Sequence, residues 1–145
     1  EAVDIRSIIS MHFDASGTLW LGTFYQGIQY YNVANDAFHF YRSSTAVGGH
    51  LNSYIISSIA EDRSGRIWFA SEGSGLNYND KHTKRFFPLK KVYSQELSFK
   101  IVKSLYYEKE PDYLWVASLY QGINRINLST VHIESISENI YTPEG

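Results

Sequence analysis

Residues 62–68 read D-R-S-G-R-I-W, and the same phrase stands at residues 14–20 as D-A-S-G-T-L-W. A third, altered copy ends in E-P-D-Y-L-W at Trp115, so Trp20, Trp68 and Trp115 lie 48 and 47 residues apart. A fixed period of this size marks a repeat architecture, in which each unit is one supersecondary block that buries its apolar face only against its neighbours. The register extends to both sides of the quoted phrase. Gly27, Gly75 and Gly122 each lie seven residues after a tryptophan, Asn32, Asp80 and Asn127 five residues further on, and Leu19, Ile67 and Leu114 immediately before one. Asp14 and Asp62 precede their tryptophans by six residues, and Gly17 and Gly65 by three. In the third unit Glu108 takes the Asp position, one residue is inserted, and the turn glycine is lost.

Each unit reads as four short strands separated by turn chemistry. In the second, Ile55, Ile56, Ile59 and Ala60 form a β-branched run, residues 62–65 a turn, and residues 67–71 the next strand. Aspartate bonds its own backbone and glycine accepts positive φ, so D-x-x-G is a hairpin connection with a mechanism. A third strand follows Gly75 over residues 76–78, residues 79–83 turn, and residues 85–89 form a fourth, where Pro88 favours a sheet edge. The first unit repeats this at 8–13, 19–23, 28–31 and 38–41, and residues 93–105 read as a connection plus the first strand of the third unit. Four antiparallel strands in such a unit match a β-propeller blade, which takes about 40–50 residues. The expectation is an all-β chain: a β-propeller fragment of three four-stranded antiparallel blades. The repeats fall at roughly 5–50, 51–97 and 98–138, with 139–145 a linker or the start of the next blade.

Composition narrows the function. Aromatic residues at 16% and hydrophobic residues at 43% suffice for a packed all-β core. Thirteen basic against fifteen acidic residues give a net charge of −2, which argues against nucleic acid or an anionic membrane as partner. The basic group Lys84, Arg85, Lys90 and Lys91 is small and reads as a solvated face. No run of 18 apolar residues is present, so neither a membrane span nor a secretion signal is expected within this segment. The absence of an initiator Met fits a piece of a longer protein, and zero cysteines permit an oxidising compartment without requiring one. His12, His39, His50, His82 and His132 are scattered without metal-ligand spacing, so neither metal nor cofactor is expected. Gly48, Gly49 and His50 read as a flexible inter-blade loop lacking the residues of a phosphate loop, and no nucleophile elbow is legible.

The stretch I-x-x-I-x-E-D-R-S-G-R-I-W-F-A-S-E-G-S-G-L-N, residues 56–77, resembles the two-component regulator propeller repeat, and D-A-S-G-T-L-W-L-G-T-F-Y-Q-G-I at 14–28 resembles it too. Such repeats occur in the periplasmic sensor regions of hybrid two-component histidine kinases of Bacteroides-type bacteria, which respond to oligosaccharides from complex glycans. The resemblance implies blades of a seven-bladed propeller, followed elsewhere in the protein by a β-sandwich, a membrane helix and cytoplasmic kinase parts. It implies a periplasmic, non-catalytic fragment whose partners are the remaining blades and the β-sandwich of the same protein. An oligosaccharide ligand is implied, and no direct membrane contact from this segment. No histidine kinase motif lies in the chain.

The recurring residues read as framework: each tryptophan buries its ring between adjacent blades and needs one partner for its N–H, and Asp14 and Asp62 serve turns. The glycines at 27, 75 and 122 admit a tight turn or a close backbone approach. The residues that vary around this frame are better binding candidates: Phe24, Tyr25 and Gln26 in the first unit, Glu72, Gly73 and Ser74 in the second, Leu119, Tyr120 and Gln121 in the third. All occupy the loop between second and third strands, and loops on a rigid scaffold are where binding usually resides. Tyrosine rings suit sugar C–H faces and amides suit hydroxyls, although Y-Q-G also fits a simple turn.

Two alternatives stand beside a sensor. One is a structural or protein-interaction propeller. The other is a glycoside hydrolase using a carboxylate pair such as Asp62 with Glu72, since the D-x-x-G-x-x-W turns resemble the Asp-box of sialidases. That motif has one residue fewer between Asp and Gly, and the chain lacks an arginine cluster. Three blades leave sheet faces uncovered, so self-association of the fragment is expected, a six-bladed ring of two copies being one arrangement.

Overall fold

The computed structural model of the chain describes residues 7–41, 51, 53–89 and 100–136. The expected loop at 48–50, residues 90 and 91 of the basic group, residues 93–99 of the connection and the segment 139–145 lie outside the described residues. Twelve described strands form three four-stranded antiparallel sheets. Blade 1 is β1 (Ile8–Phe13), β2 (Thr18–Thr23), β3 (Ile28–Asn32) and β4 (Ala37–Tyr41). Blade 2 is β5 (Ile56–Glu61), β6 (Ile67–Ser71), β7 (Gly75–Asn79) and β8 (Phe86–Pro88). Blade 3 is β9 (Val102–Glu108), β10 (Tyr113–Ser118), β11 (Gly122–Asn127) and β12 (His132–Ser135). Each is a meander in which strands pair in chain order, and β8 with its Pro88 lies at the sheet edge, where a missing N–H donor is tolerated.

Residues directly opposite on antiparallel strands share a face, so the register assigns each tryptophan its company. His12, Trp20, Tyr30 and His39 form one row in blade 1; Ala60, Trp68, Tyr78 and Phe87 form it in blade 2; Tyr106, Trp115, Arg125 and Glu134 in blade 3. The opposite face carries Met11 and Leu21, then Ile59 and Phe69, then Leu105 and Val116. Two apolar cores join these unlike faces. Trp20 and Ile28 of blade 1 pack with Ile59, Ile67, Phe69 and Phe86 of blade 2, the Trp20 and Phe69 rings meeting edge to face at 5.6 Å. Trp68, Leu76 and Tyr78 of blade 2 pack with Leu114, Val116 and Ile126 of blade 3. Each indole is therefore buried by the blade that follows it: Trp20 is 7% exposed and Trp68 fully buried, while Trp115 is half-buried beside Tyr106, which is 67% exposed. On the outward face of blade 1, Met11 and Phe13 stand in solvent.

A small residue two positions after each tryptophan lets the blades close. At Gly22 an added Cβ would lie 2.6 Å from the Ile56 carbonyl oxygen of blade 2, so nothing larger than hydrogen fits without displacing backbone. Ala70 and Ala117 stand at the equivalent positions. Polar bonds then bridge the blades: Ser10 Oγ donates to Ile56 O at 2.9 Å, Ser57 Oγ to Val102 O at 2.5 Å, and Leu105 N to Ser58 Oγ at 3.0 Å. At the blade 2–3 junction Arg63 pairs with Asp112 at 3.0 Å and donates to Ser129 Oγ at 2.8 Å.

The aspartates are framework, as their spacing predicts. Asp14 accepts from Ser16 N, Ser16 Oγ, Thr18 N and, at 2.8 Å, the Trp20 indole. Asp62 does the same for Ser64, for the backbone and guanidinium of Arg66, and for the Trp68 indole at 2.8 Å. Glu108 receives the Trp115 indole at 2.8 Å, so it does take the aspartate's place in the third unit. A backbone feature also recurs: Asp36, Lys84 and Val131, each sixteen residues after a tryptophan, sit at φ 49, 54 and 61. Its presence in all three β3–β4 type turns makes it a property of the turn geometry.

Candidate functional site

The variable loops between second and third strands cluster at one end of the blades, opposite the aspartate turns. Their bases are built identically. Thr23 Oγ1, Ser71 Oγ and Ser118 Oγ each donate to the carbonyl of the glycine four residues on, Gly27, Gly75 or Gly122, at 2.9, 2.9 and 3.1 Å. These glycines have φ 75, 71 and 66, a left-handed conformation that side chains rarely adopt. Each loop is then tied to the segment that opens a blade: Phe24 N donates to Ser7 O, Glu72 N to Ile55 O and Leu119 N to Ile101 O. Gly27 N reaches Tyr54 O, and both Gly73 N and Gly75 N reach Lys100 O. The loop tips thus stand on a hydrogen-bonded base.

Two of the candidate residues are engaged by the framework. Gln29, Asn77 and Asn124, nine residues after each tryptophan, are buried amides on the third strands. Gln29 Nε2 donates to Gln26 Oε1 at 2.9 Å and Asn77 Nδ2 to Ser74 Oγ at 3.2 Å. Gln26 and Ser74 therefore brace their loops from within. The recurring hydroxyl and amide, three and nine residues after tryptophan, were signals of this bracing present in the sequence.

The remaining candidates are presented outward. Phe24 and Tyr25 pack edge to face at 4.4 Å, and Tyr25 is 69% exposed. Tyr25 and Glu72 come together with Tyr54 and Gly73 around a shallow depression of about 540 Å³ at the blade 1–2 junction. Tyr54, absent from the candidates read from sequence, belongs to the segment leading into β5. Glu72 forms an ion pair with Lys103 of blade 3. Tyr120 and Gln121 lie on the next loop and do not line the depression. Tyr120 is 90% exposed and holds φ 73, where the equivalent residue of blade 2 is Gly73 at φ 121. A bulky residue at positive φ is an outlier worth a functional hypothesis, here an aromatic ring held in solvent.

The carboxylate pair considered for hydrolysis is not assembled. Asp62 precedes β6 and Glu72 follows it, and a five-residue strand spans roughly 16 Å, well beyond the about 5–9.5 Å that glycosidase carboxylates require. Asp62 is moreover held by its turn and by Arg66. Burial pushes the equivalent Asp14 carboxyl up, but the bonds from Trp20, Thr18 and Ser16 outweigh it and hold that group below the ordinary 3.8. A proton-donating acid needs the reverse shift. Among the described residues no group of three or more His, Asp or Glu is placed to hold a metal ion, and no helix is long and apolar enough to cross a membrane.

Three consecutive four-stranded meanders stacked face against unlike face define part of a β-propeller. Residues 50–73 match the family model described as "Two component regulator propeller", the family whose repeat the sequence resembles. Among solved structures, the extracellular domain of a putative hybrid two component system from B. thetaiotaomicron superposes with a TM-score of 0.77 at 20% identity, over 92% of this chain and 19% of that one. The extracellular domain of a putative one component system from the same organism gives 0.51 at 18% identity, over 94% of this chain and 26% of that one. Virginiamycin B lyase from Staphylococcus aureus gives 0.65 at 12% identity, over 88% and 40%. The chain thus spans well under half the length of each, and the likeness is one of fold. No curated protein sequence matches the chain.

Proposed function

We propose that this chain is part of the periplasmic sensor region of a hybrid two-component histidine kinase, in which the loop ends of the blades contact glycan-derived oligosaccharides. The observation that carries this reading is the group of exposed aromatic rings, Tyr25, Tyr54 and Tyr120, on loops whose bases are hydrogen-bonded into the blades. Rigid aromatic faces offer apolar area to sugar C–H surfaces without a large ordering penalty. The matched repeat family supports the setting. Signalling requires the ligand to favour one arrangement of the whole region over another, and in this reading that bias acts through the remaining blades, the β-sandwich and the membrane-anchored kinase. Calorimetry of the intact sensor region with a panel of oligosaccharides tests it: Tyr25→Ala and Tyr120→Ala are expected to weaken binding about tenfold or more, and unchanged affinity in both variants would remove the loop ends from the site.

A structural role coexists with this one. The face bearing Trp115 and Tyr106 is the counterpart of the Trp68 face, and the face bearing Met11 and Phe13 is the counterpart of the Ile59 face. Each therefore fits another blade of unlike face, either from the same protein or, for the isolated chain, from a second copy. Light scattering of the isolated chain checks the latter: a concentration-dependent dimer is expected, and a monomer at high concentration contradicts it.

A further inference from the structure

At one step the loop of blade 2 carries a charge where its neighbours carry none. Phe24, Glu72 and Leu119 each stand four residues after a tryptophan, so a carboxylate takes a place that is apolar in the other two blades. The main chain there is held alike in all three, by an N–H that donates to the segment opening a blade. Glu72 is fixed further by Ser53 Oγ, which donates to its carbonyl at 3.0 Å. A framework served equally by phenylalanine and leucine does not require a carboxylate. The ion-pair partner departs from the repeat as well. In each first strand the pairing register skips one residue: Ile9 in β1, Ser57 in β5 and Lys103 in β9. Such bulges re-aim a side chain, and in β9 that side chain is the ammonium that meets Glu72 of the preceding blade. Two positions that are uncharged in the other blades are therefore charged together.

The surroundings decide what this carboxylate can do. Tyr25, Ser53, Tyr54, Ile55, Glu72 and Gly73 line the loop-end depression, and among these described residues Glu72 alone is charged. Lys103 and Lys100 stand outside that lining, so a molecule in the depression meets the carboxylate first. The Glu72 side chain is 26% exposed, and Lys103 engages it at Oε1. A carboxylate accepts at two oxygens along about four directions, so capacity remains for a pair of hydroxyl donors. Hydrogen bonds to a carboxylate are charge-assisted, whereas a second anion brought to the same range is repelled. The rings that would cover a sugar's C–H face are open: Tyr25 is 69% exposed and Tyr54 57%.

We infer that Glu72 sets the specificity of the loop-end depression: the ligand is an uncharged sugar residue that presents two adjacent hydroxyls to the Glu72 carboxylate and its C–H face to Tyr25 and Tyr54. Lys103 is a positioning residue that holds the carboxylate in place, and sugars bearing a carboxylate or a sulfate are rejected. The inference rests on the loop-end reading above and narrows it to one class of ligand.

Calorimetry of the intact sensor region tests this with cellotetraose, mannotetraose and galactotetraose, each beside the uronate made by oxidising its primary hydroxyls. At least one neutral tetrasaccharide is expected to bind about tenfold or more tightly than its own uronate. Glu72→Gln should weaken the neutral sugar and bring that ratio close to one, and Glu72→Leu, the residue of blade 3 at this step, serves if the first variant fails to fold. Lys103→Met leaves the carboxylate without its cation and should widen the ratio, whereas a merely structural ion pair would respond alike to loss of either partner. No binding of any neutral probe, a uronate bound as tightly as its parent, a ratio unmoved by loss of Glu72, or both variants shifting the ratio the same way would each overturn the proposal. Unchanged affinity in Tyr25→Ala with Tyr120→Ala impaired overturns it while the loop-end reading stands; unchanged affinity in both removes that reading too.

Discussion

In the second blade the Trp68 indole ends on Asp62, six residues earlier; in the third the Trp115 indole ends on Glu108, seven residues earlier, and both bonds are 2.8 Å. The inserted residue moves the acceptor's backbone back along the strand, and the extra methylene of glutamate restores the reach. Asp62 also closes its own turn through Ser64 and Arg66. Blade 3 adds a different carboxylate, Asp112, which accepts from Tyr107 at 2.8 Å and Ser129 at 2.6 Å and pairs with Arg63 of the preceding blade. In blade 2 one side chain joins the indole to its turn, whereas in blade 3 one carboxylate holds the indole and another ties the turn to β9, to the β11–β12 turn and to the neighbouring blade. The repeat keeps an acceptor atom under each indole while the residue that supplies it changes.

The contrast can be broken most forcefully at the rings themselves. Trp68→Ala is expected to destabilise the chain by about 3–5 kcal/mol, and Trp115→Ala, at a half-buried site, by roughly 1–2 kcal/mol. Urea unfolding monitored by circular dichroism would measure both, and equal losses would contradict the inference that the following blade is what buries each indole. At the acceptors, Asp62→Ala orphans an indole and two backbone N–H groups and should cost about 2–3 kcal/mol, against about 1 kcal/mol for Glu108→Ala. Comparable costs would show that blade 3 had not divided the task.

The blade contact comes next in size. Gly22→Ala sets a methyl against the Ile56 carbonyl and should lose about 1–2 kcal/mol, whereas Ala117→Gly on the uncovered blade should lose no more than about 1 kcal/mol. Thermal unfolding of the two variants separates steric closure from simple loss of a methyl group.

The smallest effect is in acid. Burial raises the carboxyls of Asp14 and Asp112, but hydrogen bonds, and for Asp112 the charges of Arg63 and Arg66, leave both below 3.8 when folded. The unfolded chain therefore takes up these protons first as pH falls. Their stabilising contribution is complete above the unfolded value and is lost as pH drops through the folded ones. Asp14→Asn should flatten the decline of stability below about pH 4, as followed by urea midpoints, and a steeper decline would reverse the assigned sign.

Much of this architecture was legible because it repeats. The tryptophan spacing located the blades, and the Asp and Gly positions located the turns, including the substitution of Glu108. Residues that recur quietly were harder to weigh: the hydroxyls Thr23, Ser71 and Ser118 and the amides Gln29, Asn77 and Asn124 keep the same step, yet a polar residue on a strand ordinarily reads as solvent-facing. The inward hydrogen bonds of Gln26 and Ser74 depend on how each loop folds back over its third strand, which loop composition does not encode. Contacts between repeats were illegible for a different reason. Arg63 meets Asp112, and Tyr30 and His39 face Lys81 and Lys84, through the angle at which one sheet leans on the next, and no local pattern encodes that angle. The strained backbone of Tyr120 did leave a trace, since blade 2 places Gly73 at the same step.

Every described indole that is buried is covered by the blade encoded after it and never by the one before. Domains emerge from the ribosome N terminus first, and for this chain that order has a direct meaning. In a stack built this way the uncovered aromatic row lies on the blade encoded last, here Trp115 with Tyr106 of blade 3, and lengthening the stack moves that row along without adding a second.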